Sequence, residues 1–262
     1  MNEKYWMWRE TGVSAYELTP QEALAEAIEN NLIREAFQVI GQGKEAFVCW
    51  GIDEEERQIA LKSYKIYRTT HRQRINNTSR ISPYQVIKQF AKLEFYKTLD
   101  LFELKLPVPQ PYKWHDFSFS MELIGDNAGP SPLLKDFSKE YFDDPSELME
   151  KCIDFLYDIF QLHYVHGDFS EHNIILHNEE IVVIDFLQTK KFALKDSIDG
   201  GSKLIPLTRA YRILQRDVNA ILTYFKRCHR LQADQNEVLD YITGDIKNKI
   251  EKELELKHEM SY

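Results

Sequence analysis

The chain has 262 residues, 43% of them hydrophobic, with a formal net charge of −9 and few glycines and prolines. That composition excludes a disordered chain, and the acidic balance argues against a general nucleic-acid binder. No apolar run has the length of a bilayer-spanning helix and no signal-peptide core follows Met1-Asn2-Glu3-Lys4, so a soluble cytoplasmic protein without a membrane partner is expected. Cys49, Cys152 and Cys228 are odd in number and form no CxxC pair, which predicts reduced, mostly buried thiols rather than a zinc site.

In chain order, the aromatic start Tyr5-Trp6-Met7-Trp8 suggests no element beyond packing on the first lobe. Thr19 and Pro20 read as an N-cap and first helical position, and the spacing predicts a helix over 20–37 with Leu24, Ile28 and Leu32 on its apolar face. β-favouring runs follow at 37–40, 46–51 and 58–64, then a helix over 83–100, then strands at 112–115 and 119–124. From about residue 126 the pattern is mainly helical, interrupted by one hairpin, and residues 245–260 form a charged helix with Ile246, Ile250 and Leu254 on one stripe. This order predicts an α+β fold of two lobes with a ligand between them: residues 1–36 an extension with a helix, 37–125 a first lobe, 126–262 a second.

The turn after the first strand reads Ile40-Gly41-Gln42-Gly43-Lys44. Gly41 and Gly43 would let backbone approach a phosphate and Lys44 would add charge, although a hairpin turn uses glycines for local reasons too. Lys62 lies in the otherwise apolar run Ile59-Ala60-Leu61-Lys62, where a buried ammonium needs an anionic partner. On the next helix Ile87, Phe90, Ala91 and Glu94 share a face, so Glu94 is the natural partner; the alternative is a pair of ordinary surface residues. Residues 58–93 hold no acid, and the cations from Arg57 to Lys92 would attract phosphates of a nucleotide or RNA, unless they form a solvated basic face.

Residues 164–186 read YVHGDFSEHNIILHNEEIVVIDF. The runs Asn173-Ile174-Ile175-Leu176 and Ile181-Val182-Val183-Ile184 are joined by His177-Asn178-Glu179-Glu180, which predicts a β-hairpin. A hairpin brings its outer ends together, so Asn173 and Asp185 should be neighbours, with Asp168 in the loop that feeds them. Three oxygen-bearing side chains suit a hard cation with a base nearby. The alternative for any one aspartate is turn chemistry at a strand end, and the histidines at 163, 166, 172 and 177 are expected to brace backbone rather than bind zinc.

Taken together, a glycine-rich hairpin, Ala-x-Lys, a helix glutamate, His-x-Asp with Asn five residues on, and an Asp after an apolar strand resemble the protein-kinase set. The wording Gly43-Lys44-Glu45-Ala46, Met121-Glu122-Leu123-Ile124-Gly125, His166-Gly167-Asp168 to Asn173 and Ile184-Asp185-Phe186 resembles the RIO family of atypical serine/threonine kinases. The resemblance implies a kinase-like fold without the peptide-substrate platform, since Leu187 replaces the usual glycine and no Ala-Pro-Glu follows. It implies that Lys62, held by Glu94, contacts the phosphates of ATP, with Lys65 a competing candidate for that role. The backbone of Glu122 and Ile124 would receive adenine and Asp168 would be the catalytic aspartate. Asn173 and Asp185 would hold magnesium, or manganese in its place, and Asp185 could carry the phosphate transiently. Asp217 matches an aspartate that steadies the catalytic loop. The family further implies a role on the maturing small ribosomal subunit and its RNA.

Features of both RIO subfamilies are present: residues 121–136 look like the first, which is favoured, and 60–72 like the second. The rival readings are a small-molecule phosphotransferase of the aminoglycoside or choline kinase type, and an ATP-binding pseudokinase scaffold. The segment 194–209 reads as a flexible loop near the site, and oligomeric state is open.

Overall fold

The computed structural model describes residues 19–65, 83–137, 144–194 and 203–259; the expectations for Tyr5 to Trp8, for most of the basic stretch after Lys65 and for 195–202 lie outside them. The chain forms two compact units, one of residues up to Glu103 with Pro109–Pro130, the other of Leu104–Val108 with residues from Ser131 on. Among the described residues no helix is long and apolar enough to cross a membrane.

The first unit begins with α1 (Pro20–Glu29), closed at its start by a capping box between Thr19 and Glu22. The helix is shorter than the sequence pattern predicts because Asn31 adopts a left-handed conformation. Asn31 N–H donates to Ile28 O and Leu32 N–H to Ala27 O, a Schellman-type ending that satisfies the last carbonyls. The helix buries Ala23 and Ala27; of the expected stripe of Leu24, Ile28 and Leu32, Leu32 is buried just past the helix end and Ile28 is left exposed.

A five-stranded antiparallel sheet follows, in the order β1-β2-β3-β5-β4. Its strands are β1 (Glu35–Gln42), β2 (Ala46–Ile52), β3 (Gln58–Tyr64), β4 (Pro111–His115) and β5 (Ser118–Glu122), with α2 (Pro83–Glu103) between β3 and β4. β3 is central and buried at every position from Ile59 on, which explains why its apolar run does not alternate. α2 turns Ile87, Ala91, Glu94, Phe95, Thr98 and Leu101 inward. The two-residue strands β6 (Gly125–Asp126) and β7 (Gly129–Pro130) close this unit.

The second unit is mainly helical, with α3 (Pro145–Gln161), α4 (Leu207–His229), α5 (Gln235–Thr243) and α6 (Ile246–Glu259). β9 (Ile174–His177) and β10 (Glu180–Val183) form the hairpin, and β8 (Tyr164–Val165) pairs with β11 (Lys190–Lys191). The hairpin turn is Asn178-Glu179, both at positive φ, the backbone of a two-residue type I′ connection. From 203 to 209 the expected loop is instead structured: Ile205 bridges to Phe192, and α4 starts at Leu207.

Gly51 shows where close approach demands glycine. A Cβ there would lie 2.1 Å from Glu35 O and 2.5 Å from the Ile33 side chain. Gly43 differs, since its Cβ would meet only Ala46 O, at 3.6 Å. Gly51→Ala should therefore lower stability by roughly 1–3 kcal/mol or more, and Gly43→Ala by no more than about 0.5 kcal/mol. Urea midpoints of the two variants check this.

Candidate active site

β3 and α2 place Lys62 and Glu94 face to face inside the first unit. Lys62 Nζ donates to Glu94 Oε1 at 2.7 Å, and both side chains are buried. Tyr64, two positions on and therefore on the same face of β3, donates its hydroxyl to Glu94 Oε2. Its ring centroid lies 5.4 Å from Lys62 Nζ. Glu94 thus has a charged donor on one oxygen and a neutral donor on the other, which offsets the cost of burying a carboxylate. Tyr64 is absent from the sequence expectations because an aromatic residue ending a strand reads as core. The only signal for it was its i+2 spacing from Lys62.

The glycine turn is drawn tight by Gly43 N–H to Ala46 O at 2.9 Å. Lys65, the alternative phosphate lysine, donates its Nζ to Gly43 O at 3.1 Å, and its N–H to Glu45 O at 2.7 Å. Lys65 therefore braces the turn, while Lys62 holds the carboxylate. Lys44 is exposed on the same turn, and Gly41 pairs with Val48. Glu122 ends β5, its N–H on Gln110 O at 2.8 Å, and Leu123 and Ile124 lead on towards β6.

In the second unit, the hairpin ladder continues one step beyond β10: Ile184 N–H donates to Asn173 O at 3.0 Å. That bond puts Ile184 opposite Asn173 and leaves Asp185 one residue past the ladder. Asp185 has φ +67, a conformation that non-glycine residues seldom adopt and that concentrates at functional sites. Asn173 Nδ2 donates to Asp168 O at 2.9 Å and lies 3.4 Å from Asp168 Oδ2. With its amide nitrogen committed to Asp168, Asn173 has its oxygen left to accept.

The loop carrying Asp168 is fixed from below. His166, fully buried, accepts the Asp168 N–H on Nδ1 at 3.2 Å, so its proton sits on Nε2, 3.3 Å from Ile184 O. The ring thus links the aspartate loop to the strand end before Asp185, bracing backbone rather than binding a metal. Gly167 has φ +87 and a Cβ there would lie 2.9 Å from Gln188 O. Phe169 stacks on Phe155 of α3, centroids 5.4 Å apart. Asp217 of α4 accepts the N–H of Gly167 at 2.8 Å and that of Phe169 at 3.3 Å. Burial pushes the Asp217 carboxyl up to about 6, against the lowering effect of those two bonds.

Lys62 and Glu94 thus belong to the first unit, and Asp168, Asn173 and Asp185 to the second. The RIO domain family's profile matches residues 47–238, well over half of the chain. The chain belongs to the RIO domain family. This RIO-domain protein is 27% identical to the RIO-type serine/threonine-protein kinase Rio2 of Methanocaldococcus jannaschii, over 82% of this chain and 78% of that one. It is 25% identical to the RIO-type serine/threonine-protein kinase Rio1 of Haloferax volcanii, over 79% and 68%. It is therefore similar to both subtypes. Among solved structures, the Rio2 kinase-ADP/Mg2+-phosphoaspartate complex from Chaetomium thermophilum aligns with a TM-score of 0.63 at 19% identity, covering 98% of this chain and 84% of that one. That likeness establishes the kinase-like α+β fold. Between Asp185 and α4 the described residues hold β11.

Glu94→Ala should cost about 3–5 kcal/mol, because it leaves the Lys62 ammonium buried without its partner. The apolar double substitution Lys62→Met with Glu94→Leu should be much closer to neutral, as read by chemical denaturation. For Asp217 the folded carboxyl titrates above its unfolded value of 3.8. Its contribution to stability is therefore fully present below that value and is lost as the pH rises through about 6. The urea midpoint of the native protein, relative to Asp217→Asn, should fall between these pH values and level off above them.

Proposed function

We propose that this RIO-domain protein is a serine/threonine kinase and ATPase that transfers the γ-phosphate of ATP to protein, itself included, or to water. The observation that carries this reading is the hairpin register that pairs Ile184 with Asn173 and puts the left-handed Asp185 one residue further on, with the Asn173 amide committed to Asp168. Residues 37–125 act as the nucleotide-holding lobe, residues 126–262 carry the catalytic loop, and residues 1–36 are an extension.

Lys62 binds the phosphates and Glu94 fixes the ammonium in place, with Tyr64 holding the carboxylate's second oxygen. Gly41, Gly43 and Lys44 let the turn backbone approach the phosphates. The 3.6 Å contacts that a Cβ would make at Gly41 and Gly43 are ordinary, so packing alone does not require glycine at either position. The backbone at Glu122 and Ile124 receives the adenine.

Asn173, opposite Ile184 on the ladder, and Asp185, the next residue after Ile184, offer two hard oxygen donors, a set that fits magnesium, with manganese able to substitute. Bound there, the ion would neutralise phosphate charge as it develops. Asp168 orients the acceptor hydroxyl or water and takes its proton. In the route through an enzyme-bound phosphate, an Asp185 carboxylate oxygen attacks the γ-phosphorus and ADP leaves. Water then attacks the phosphoaspartate, Asp168 accepts the proton, and phosphate is released.

The family assignment supports a role in maturation of the small ribosomal subunit, in contact with its RNA, in the cytoplasm. The test is γ-labelled ATP supplied with magnesium to the native protein, Asp168→Ala and Asp185→Asn. Label should pass to free phosphate, or stay on the protein in an acid-stable or hydroxylamine-sensitive form, and both variants should lose at least about 100-fold in rate. Unchanged turnover in either variant would contradict the catalytic role of the aspartate it replaces.

A further inference from the structure

We propose that Glu26, His115 and Asp116 form a second cation site, one that takes a first-row divalent metal such as zinc and is separate from the ATP-site aspartates. One donor atom from each of the three lies within 4.8 Å of the others. An ion with bonds of about 2.1 Å spans donors up to roughly 4 Å apart, so small side-chain rotations close the set around it. Glu26 comes from α1, His115 from the last position of β4 and Asp116 from the turn between β4 and β5, all in the first unit. The turn that ends α1 already reaches β4 through Lys113 Nζ, which donates to Asn31 O at 3.3 Å.

Asp116 is the centre of this site. It is 4% exposed and has φ +47, so its carboxylate is held away from water on an unfavourable backbone. A carboxylate so placed requires a cation, and in the structure the Lys88 ammonium from α2 supplies it. Lys88 is 42% exposed on a flexible stem and can leave for solvent. A divalent ion bridging two carboxylates and an imidazole would displace it. The imidazole decides the class of metal: magnesium and calcium prefer an all-oxygen shell, whereas zinc, cobalt and iron accept nitrogen. Occupancy would staple α1 to the β4–β5 turn and free Lys88.

The test is titration of Co2+ and Zn2+ into the full chain, following the Co2+ visible absorption and the Zn2+-dependent rise in Tm. Every arm carries Asp185→Asn, so that metal binding at the ATP-site aspartates does not contribute. The expected result is saturable binding of a single ion, weakened at least about tenfold by His115→Ala and by Glu26→Gln and tightened several-fold by Lys88→Met, which removes the competing ammonium. Glu26→Gln, at a half-buried helix position, keeps the test valid should His115→Ala fold poorly. No saturable binding at micromolar metal, or binding in His115→Ala or Lys88→Met equal to that of the parent, overturns the proposal.

Discussion

The Asp217 carboxylate, buried in the second unit and accepting two backbone N–H groups of one loop, is the constraint on which the arrangement of the candidate catalytic residues rests. Burying a carboxylate is unfavourable, and its raised pKa records that cost. What the cost secures is a single conformation for residues 166–169. Gly167 is left-handed and pressed against Gln188, Phe169 is sealed against Phe155, and Asp168 between them is held by its backbone at a defined place. A loop without such an anchor would have to order these residues each time a nucleotide bound, at an entropic cost of roughly 1–2 kcal/mol per residue.

The first unit uses the same device for a different purpose. There the buried carboxylate is Glu94, its donors are Lys62 and Tyr64, and what it fixes is an ammonium rather than a backbone. In both units a costly buried acid is made tolerable by donors that must themselves be in place. Breaking either set leaves a polar group stranded, while replacing a whole set by apolar residues need not destabilise the fold. A stable apolar replacement would nevertheless lack the chemistry, which separates the fold's requirement from the site's.

Much of this was legible in the sequence because the informative contacts are local or follow strand periodicity. The hairpin over 174–183 is written as two apolar runs around a polar four-residue link, and its register follows from the two-residue turn at Asn178 and Glu179. The pairing of Lys62 with Glu94 was legible because each is a charge among apolar neighbours. Tyr64 was not, since a tyrosine at a strand end looks the same whether its hydroxyl meets water or a carboxylate. The end of α1 was misread because the Asn30-Asn31 stop has no glycine or proline, and its buried face because Ala23 and Ala27 are weaker signals than Leu24 and Ile28. The β8–β11 ladder, two residues long on each side, leaves no periodic trace. The meeting of Glu26 with His115 and Asp116 depends on packing between segments far apart in the chain, which periodicity does not encode.

The role proposed for Asn173 and Asp185, at the open end of the hairpin, is to hold the metal that accompanies ATP. Calorimetric titration of ATP into the native protein and into Asp185→Asn, each with and without magnesium, tests it most directly. Magnesium should tighten ATP binding to the native protein by at least about tenfold, and this gain should disappear in Asp185→Asn while metal-free binding persists. An equal magnesium gain in both proteins would contradict the claim.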